Sequence, residues 1–350
     1  MKSLEERIFF LVSQASQLEA WVGSYDASAL RRWLNAELGD ERRLEQWVDG
    51  SRVVACGSVL HVVSGNTPHA AFQSVFRAIL IGCRSYVKLP TGGLAEFEQW
   101  AKSVQGELGE LLEWRRDLPE EWRKPETAVV YGGAESINWF REWLPKATKI
   151  IEHGPKLSAA FVFEEKEGLT AGLAEDVMRF GQRGCLSVQI IYLQGDIAGF
   201  CGRMAFAMRQ YSELNGRVPG SLSEAGQVRN ERELTRFRIA NGAAVKMWES
   251  EASTDWTVVC DEENPFLRAG PLNGFVRVVP MPKVISQQSL GEEVRYLSTA
   301  VVEPIAEEWR LEGIGPPRIC AAGQAQEPGI FWHPDGEMPL AGLVRWRDLG

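Results

Sequence analysis

From about residue 58 to residue 153, short apolar runs alternate with longer amphipathic stretches. The runs are "GSVLHVVSG", "SYVKLP", "ETAVVYG" and "ATKIIEHG"; between them lie "TPHAAFQSVFRAILIG", an amphipathic stretch over about 94 to 116, and "AESINWFREWL". Apolar runs of this length with turn residues at their ends read as strands buried on both faces, and the stretches between them carry helical spacing. Parallel neighbours need such crossovers, so the pattern predicts an α/β chain with a parallel sheet covered on both sides. A second series opens near 157 with "LSAAFVFEE", a helix over "AGLAEDVMRFG" and a strand after Cys185. Long polar helices between about 196 and 240 follow, then short strands in "AVKMW", "WTVVC" and "NGFVRVVPM", another helix and a final strand in "PRICAAG". Residues 1 to 48 form a helical preface, with Asp26 placed as a cap before "ASALRRWLNAEL". The end of the chain, rich in Trp, Pro and Gly, reads as a tail that packs on the body.

At 350 residues the chain suits two lobes. The expected division is 1–152 for the preface and a dinucleotide-binding domain, 153–322 for a catalytic domain, and 323–350 for the tail. With 38 Lys and Arg against 47 Asp and Glu, the formal charge is −9, and no basic cluster is present. Phosphate backbones require one, so a nucleic-acid partner is not expected. No apolar stretch is long enough for a membrane span, and "MKSLEERIFF" lacks the basic-then-apolar order of a signal peptide; a cytoplasmic location is expected. The six cysteines are scattered without a CxxC pair and the four histidines are equally dispersed, which argues against a metal site.

Strand ends are where chemistry collects in such sheets, because helix N-termini there offer unpaired N–H groups. Asn66 in "SGNTP" stands where its amide can donate to an oxyanion, or can simply cap a helix. Lys88 in "YVKLP" can meet a ribose or phosphate, or be solvated. Gly132 and Gly133 in "YGGAES" let a backbone approach a ligand, although one glycine pair is a weak signal. Glu152 and His153 end the fourth run; Glu152 is either a general base or half of an ion pair with Lys149 or Lys156. Cys185, between "FGQRG" and a strand, is either a core thiol or a nucleophile.

Taken together and in this order, "GNTP", "VKLP", "GGAES", "EHGPK" and "RGCLSVQ" resemble the motifs of the aldehyde dehydrogenase superfamily. "GPKLS", "CLSVQ" and the tail "RICAAGQAQEPGIFWHPDG" resemble its LuxC-like acyl-CoA reductase branch. The resemblance runs from about residue 50 to the C-terminus and implies an aldehyde dehydrogenase-like fold, with a Rossmann-type cofactor domain and an α/β catalytic domain. Carried over residue by residue, it implies Cys185 as the acyl-accepting nucleophile, Asn66 and the Cys185 N–H as the oxyanion hole, and Glu152 as general base. Lys88 would contact the adenosine ribose or its phosphate, and Gly132, Gly133 and Ala134 the pyrophosphate. Thr91 stands where NAD-preferring members carry an acid, so NADPH is the expected donor, with NADH possible. The expected substrate is an acyl-CoA or another acyl thioester. A homo-oligomer is expected by analogy, and an acyl-transferase or synthetase is a possible partner.

Departures from the family pattern are Ile137, where a second glycine is usual, and a poor match at "EENPF". In "WHPDG", His333 and Asp335 suggest a His–Asp pair, but a buried turn held by His333 is the preferred reading. Two rival functions follow from the same residues: a cysteine thioesterase or acyltransferase with Glu152 or His153 as base, and a non-catalytic subunit of an acyl-transfer complex.

Overall fold

The computed structural model of the chain describes residues 3–216 and 220–350. They form two compact units, one built from the first 155 residues together with Pro328–Gly350, the other from Lys156–Glu327.

The first unit begins with α1 (Leu4–Ser13), α2 (Ala15–Val22) and α3 (Ala27–Leu38). Asp26 caps α3 as its place in the sequence predicts, its Oδ1 accepting the Ala29 N–H at 2.6 Å. After β1 (Ser51–Ala55) come β2 (Ser58–Val62), β3 (Arg84–Lys88), β4 (Leu112–Arg115), β5 (Thr127–Tyr131) and β6 (Lys149–His153). These last five form one parallel sheet in the order β4-β3-β2-β5-β6. The crossovers carry α4 (His69–Ile81), α5 (Ala95–Ser103), α6 (Gln105–Leu108) and α7 (Ala134–Trp143). Numbered along the chain, the order is 3-2-1-4-5, that of a doubly wound sheet, and it reverses between β2 and β5.

Alternation along each strand assigns its side chains to two cores. On β2, Val59 joins the core beneath α1–α5, whereas Leu60 and Val62 join Trp122, Ile137 and Phe140 on the α7 side. His61, pointing with Val59, is wholly buried between the hydroxyls of Ser74 and Ser85 at 2.6 and 3.1 Å. Burial pushes its imidazole down to about 3.

The expected helix over 94–116 is corrected here: it ends at Leu108, and Leu112–Arg115 is instead the edge strand β4. Gly109 takes a φ of 54°, which breaks the helix, and Leu112 then pairs in register with Ser85 of β3.

The second unit contains β7 (Leu157–Val162), α8 (Leu169–Met178), β8 (Val188–Leu193), α9 (Ile197–Asn215), α10 (Leu222–Ala240), β9 (Val245–Glu249), β10 (Thr257–Asp261), β11 (Phe275–Pro280), α11 (Gln287–Leu290), β12 (Leu297–Glu303) and β13 (Arg318–Cys320). Its sheet runs β13-β12-β7-β8-β11-β10-β9, parallel except for β9. Strand β12 escapes the sequence reading because Ser298, Thr299 and Glu303, all buried, interrupt the apolar run by which a strand covered on both faces is recognised. Asp176 of α8 ties in the loop after β13, its carboxylate accepting the Gly323 and Ala325 N–H groups; burial raises it to about 7.

The tail then completes the first unit: β14 (Val344–Asp348) pairs antiparallel with β1. Glu37 accepts the N–H groups of Leu340 and Ala341, and Ile330, Leu340, Leu343 and Val344 are buried in the first core. Among the described residues no helix is long and apolar enough to cross a membrane.

Candidate active site

The carboxyl edge of the five-stranded sheet gathers the residues that the sequence singles out in the first unit. β2 runs into Asn66, exposed just ahead of α4, and β3 into Lys88 and the exposed Thr91. The two strand ends are bonded to each other, Val63 N–H donating to Lys88 O at 3.1 Å. The Lys88 ammonium donates to Leu89 O at 2.8 Å. β5 runs into Gly132 and Gly133, and Gly133 starts α7 with no side-chain cap. A Cβ at Gly133 would meet nothing within 4 Å, so its surroundings are open for an approaching group, while Ala134 opens the helix with its side chain exposed. Asn66 and the glycine pair thus flank the point where strand order reverses, the position at which such sheets bind ligands. Ile137, at the place of the usual second glycine, packs in the core with Phe140 and Leu60.

At the end of β6 a single-residue step decides two fates, because successive strand side chains point to opposite faces. Glu152 faces α7, where the Arg141 guanidinium grips both carboxylate oxygens at 2.5 and 2.6 Å. The ion pair with Lys149 or Lys156 is therefore corrected to Arg141; Lys149 instead donates to Gly342 O. A carboxylate so held keeps further lone-pair sites open to a third donor. His153 faces the other way: its ring lies on Tyr131, with centroids 4.4 Å apart, and Nδ1 is 2.7 Å from Asp335 Oδ2. The turn reading of His333 is likewise corrected. His333 is exposed, Pro334 is the buried residue, and Asp335, which sequence reasoning set beside His333, belongs with His153. Nothing local in "WHPDG" signals a partner on a strand so distant in the chain.

Cys185 belongs to the second unit and is exposed, whereas the other five cysteines are buried. The turn that carries it starts with three consecutive left-handed residues, Phe180, Gly181 and Gln182, at φ 57°, 65° and 62°. Only glycine adopts this conformation without strain, so Phe180 and Gln182 need compensation from their surroundings. Gln182 supplies it. Its wholly buried amide donates to Val188 O and Phe275 O at 2.8 and 2.9 Å and accepts the Phe275 N–H at 2.9 Å. Ser158 donates to Cys185 O at 2.7 Å, and Gln326 donates to Ser187 Oγ at 2.7 Å. Sequence reasoning passed over Gln182, Ser158 and Gln326, because a buried amide in a loop has no signature until its partners are known. Glu263, at the poor "EENPF" match, is engaged by Arg238 and the Ala244 N–H.

Comparison with solved structures places this architecture. NADP-dependent glyceraldehyde-3-phosphate dehydrogenase of Bacillus halodurans, solved with NADP, aligns over 99% of this chain and 86% of its own at a TM-score of 0.67 and 13% identity. Lactaldehyde dehydrogenase of Escherichia coli aligns over 99% and 85% at 0.63 and 14%. The protein has the aldehyde dehydrogenase fold. The family profile of acyl-CoA reductase (LuxC) matches residues 4–346, and the chain belongs to that family. Among its relatives, the long-chain acyl-protein thioester reductase of Photobacterium phosphoreum is 23% identical over 371 aligned positions, covering 95% of this chain and 72% of the relative. That of Aliivibrio fischeri is 24% identical, covering 72% of this chain but only 56% of its own length.

Proposed function

We propose that the protein reduces an acyl thioester to the aldehyde through an acyl-enzyme on Cys185, with NADPH as preferred hydride donor and NADH as a weaker one. The observation that carries this reading is the presentation of Cys185: alone among the described cysteines it is exposed, on a strained turn anchored by Gln182 and Ser158. A structural thiol has no need of such a mount.

The Cys185 sulfur attacks the thioester carbonyl carbon, forming a new C–S bond, and the oxyanion is received by the Cys185 N–H and the Asn66 amide. Collapse breaks the bond to the carrier, which leaves as its thiolate. A nicotinamide cofactor supplies, when bound, the hydride that takes the enzyme thioester to the aldehyde level. The carbonyl then re-forms, and Cys185 returns as a thiolate.

The first unit suits such a cofactor. Gly132, Gly133 and Ala134 at the uncapped start of α7 would hold the pyrophosphate, with Lys88 on the adenosine side. The neutral Thr91, exposed after β3, offers no charge against a 2′-phosphate. Glu152 would take up or return a proton beside Arg141. The relatives' name, acyl-protein thioester reductase, supports a fatty acyl chain and makes a protein-bound thioester as reasonable a substrate as an acyl-CoA.

The test follows NADPH oxidation with a panel of acyl thioesters, and intact-mass analysis after acyl-CoA without NADPH. Wild type should consume NADPH and gain an acyl mass adduct, and Cys185→Ala should do neither. Release of coenzyme A without NADPH consumption would replace the reductase with a thioesterase, and silence of wild type in both would favour a non-catalytic subunit.

A further inference from the structure

A cavity of about 70 Å³ opens in the second unit between the C-terminal turn of α9 and the loops that precede β10 and β11. Its wall includes Met178, Phe180, Tyr211, Ser212, Asp255 and Asn273. Asn273 N–H donates to Gly181 O at 3.2 Å, so this wall is bonded to the left-handed run that begins the Cys185 turn.

Asn273 is the unexplained group. It is 5% exposed, yet its amide Nδ2 has no hydrogen-bond partner among the described residues. It also sits in a second left-handed run, Leu272, Asn273 and Gly274, at φ 63°, 55° and 69°. A Cβ on Gly274 would come within 2.7 Å of both Asp255 O and Met178 Sδ, so the wall is built to close tolerance. A buried donor left unpaired and a backbone held left-handed are both costly, and such features cluster where a ligand completes them. The missing partner of Nδ2 is an acceptor oxygen. Elsewhere on the wall, the Asp255 carboxylate has capacity for several bonds, and Tyr211 and Ser212 add hydroxyls. A donor and an acceptor together read a secondary amide, and Met178 and Phe180 suit the methylenes beside it.

We propose that this cavity binds the pantetheine arm of the acyl carrier, with an amide carbonyl on Asn273 Nδ2 and the amide N–H toward Asp255. The inference rests on the acyl-thioester reading above and names the part of the substrate shared by coenzyme A and by carrier proteins.

The test is calorimetric titration of coenzyme A and of free pantetheine into wild type, Asn273→Gly and Ser212→Trp. Glycine keeps the left-handed backbone and removes only the amide; tryptophan fills the cavity from a half-buried position. The Kd for both ligands should rise about tenfold in Asn273→Gly, the size of one lost hydrogen bond, and binding should vanish in Ser212→Trp, with NADPH binding and melting temperature unchanged. No binding of either ligand by wild type, or wild-type affinity in a folded variant of either kind, overturns the proposal. Should wild type bind coenzyme A with this pattern yet consume no NADPH with acyl-CoA, the cavity stands and the reductase reading falls. Equal affinity for pantetheine and coenzyme A would point to a carrier protein, and much tighter binding of coenzyme A to the free nucleotide.

Discussion

Asn66 and His61 lie five positions apart and face opposite requirements. Asn66 is exposed at a strand end, and in the proposed reaction it holds charge that exists only in the transition state. Asn66→Ala should therefore lower kcat by about 10²–10³, with melting temperature unchanged, as steady-state kinetics and thermal denaturation would show. His61 is wholly buried and held neutral, its imidazole depressed to about 3. In the unfolded chain it titrates near its ordinary value of about 6.5. Acid thus drives protons onto the unfolded chain alone, and the stability that neutral His61 contributes, full above pH 6.5, is lost progressively as pH falls toward 3. The slope is about 1.4 kcal/mol per pH unit. Urea titrations between pH 7 and 5 should show the first unit losing about 2 kcal/mol that a folded His61→Gln variant does not lose; equal losses in both would remove His61 as the acid-sensitive group.

Between the ends of α8 and β8, the turn that displays Cys185 is shaped by an amide and not by its own sequence. Gln182 satisfies three backbone groups of the buried residues Val188 and Phe275. Gln182→Ala would strand them, at a cost of about 2–5 kcal/mol, without relieving the φ of 62°. The more telling readout is reactivity. The rate at which a thiol reagent labels Cys185 should change several-fold in Gln182→Ala under conditions where the chain is still folded, while Gln182→Gly, which relieves the backbone, should lie between the two. An unchanged labelling rate and midpoint would show that the turn holds itself.

Across the whole chain, the final 23 residues are part of the first unit and not an appendage to the second. They supply β14 to pair with β1, Asp335 to His153, and four buried apolar side chains to the first core. At roughly 1.5–3 kcal/mol for each such side chain, their loss is comparable with the whole stability of an ordinary domain. A chain ending at Glu327 should therefore lose protection of the first unit in hydrogen exchange, strands β2 and β3 included, while β7 and β8 of the second unit keep theirs. Retained protection of β2 would show that the tail only decorates the core.

Local periodicity carries the α/β class, the parallel crossovers, the Asp26 cap, and the placement of Asn66, Lys88, Gly132 and Glu152 at strand ends. A strand with an apolar run and a helix with a 3.6-residue stripe announce themselves, because the same few neighbours impose both pattern and fold. Tertiary structure alone decided the rest. Strand β12 buries Ser298, Thr299 and Glu303 among its apolar residues; the amphipathic stretch before β4 ended at a glycine that chose a left-handed turn; and β1 found its partner almost three hundred residues later. The pairings of Glu152 with Arg141 and of His153 with Asp335 belong to the same class. A hydrogen bond is set by distance in space, and a sequence records only distance along the chain.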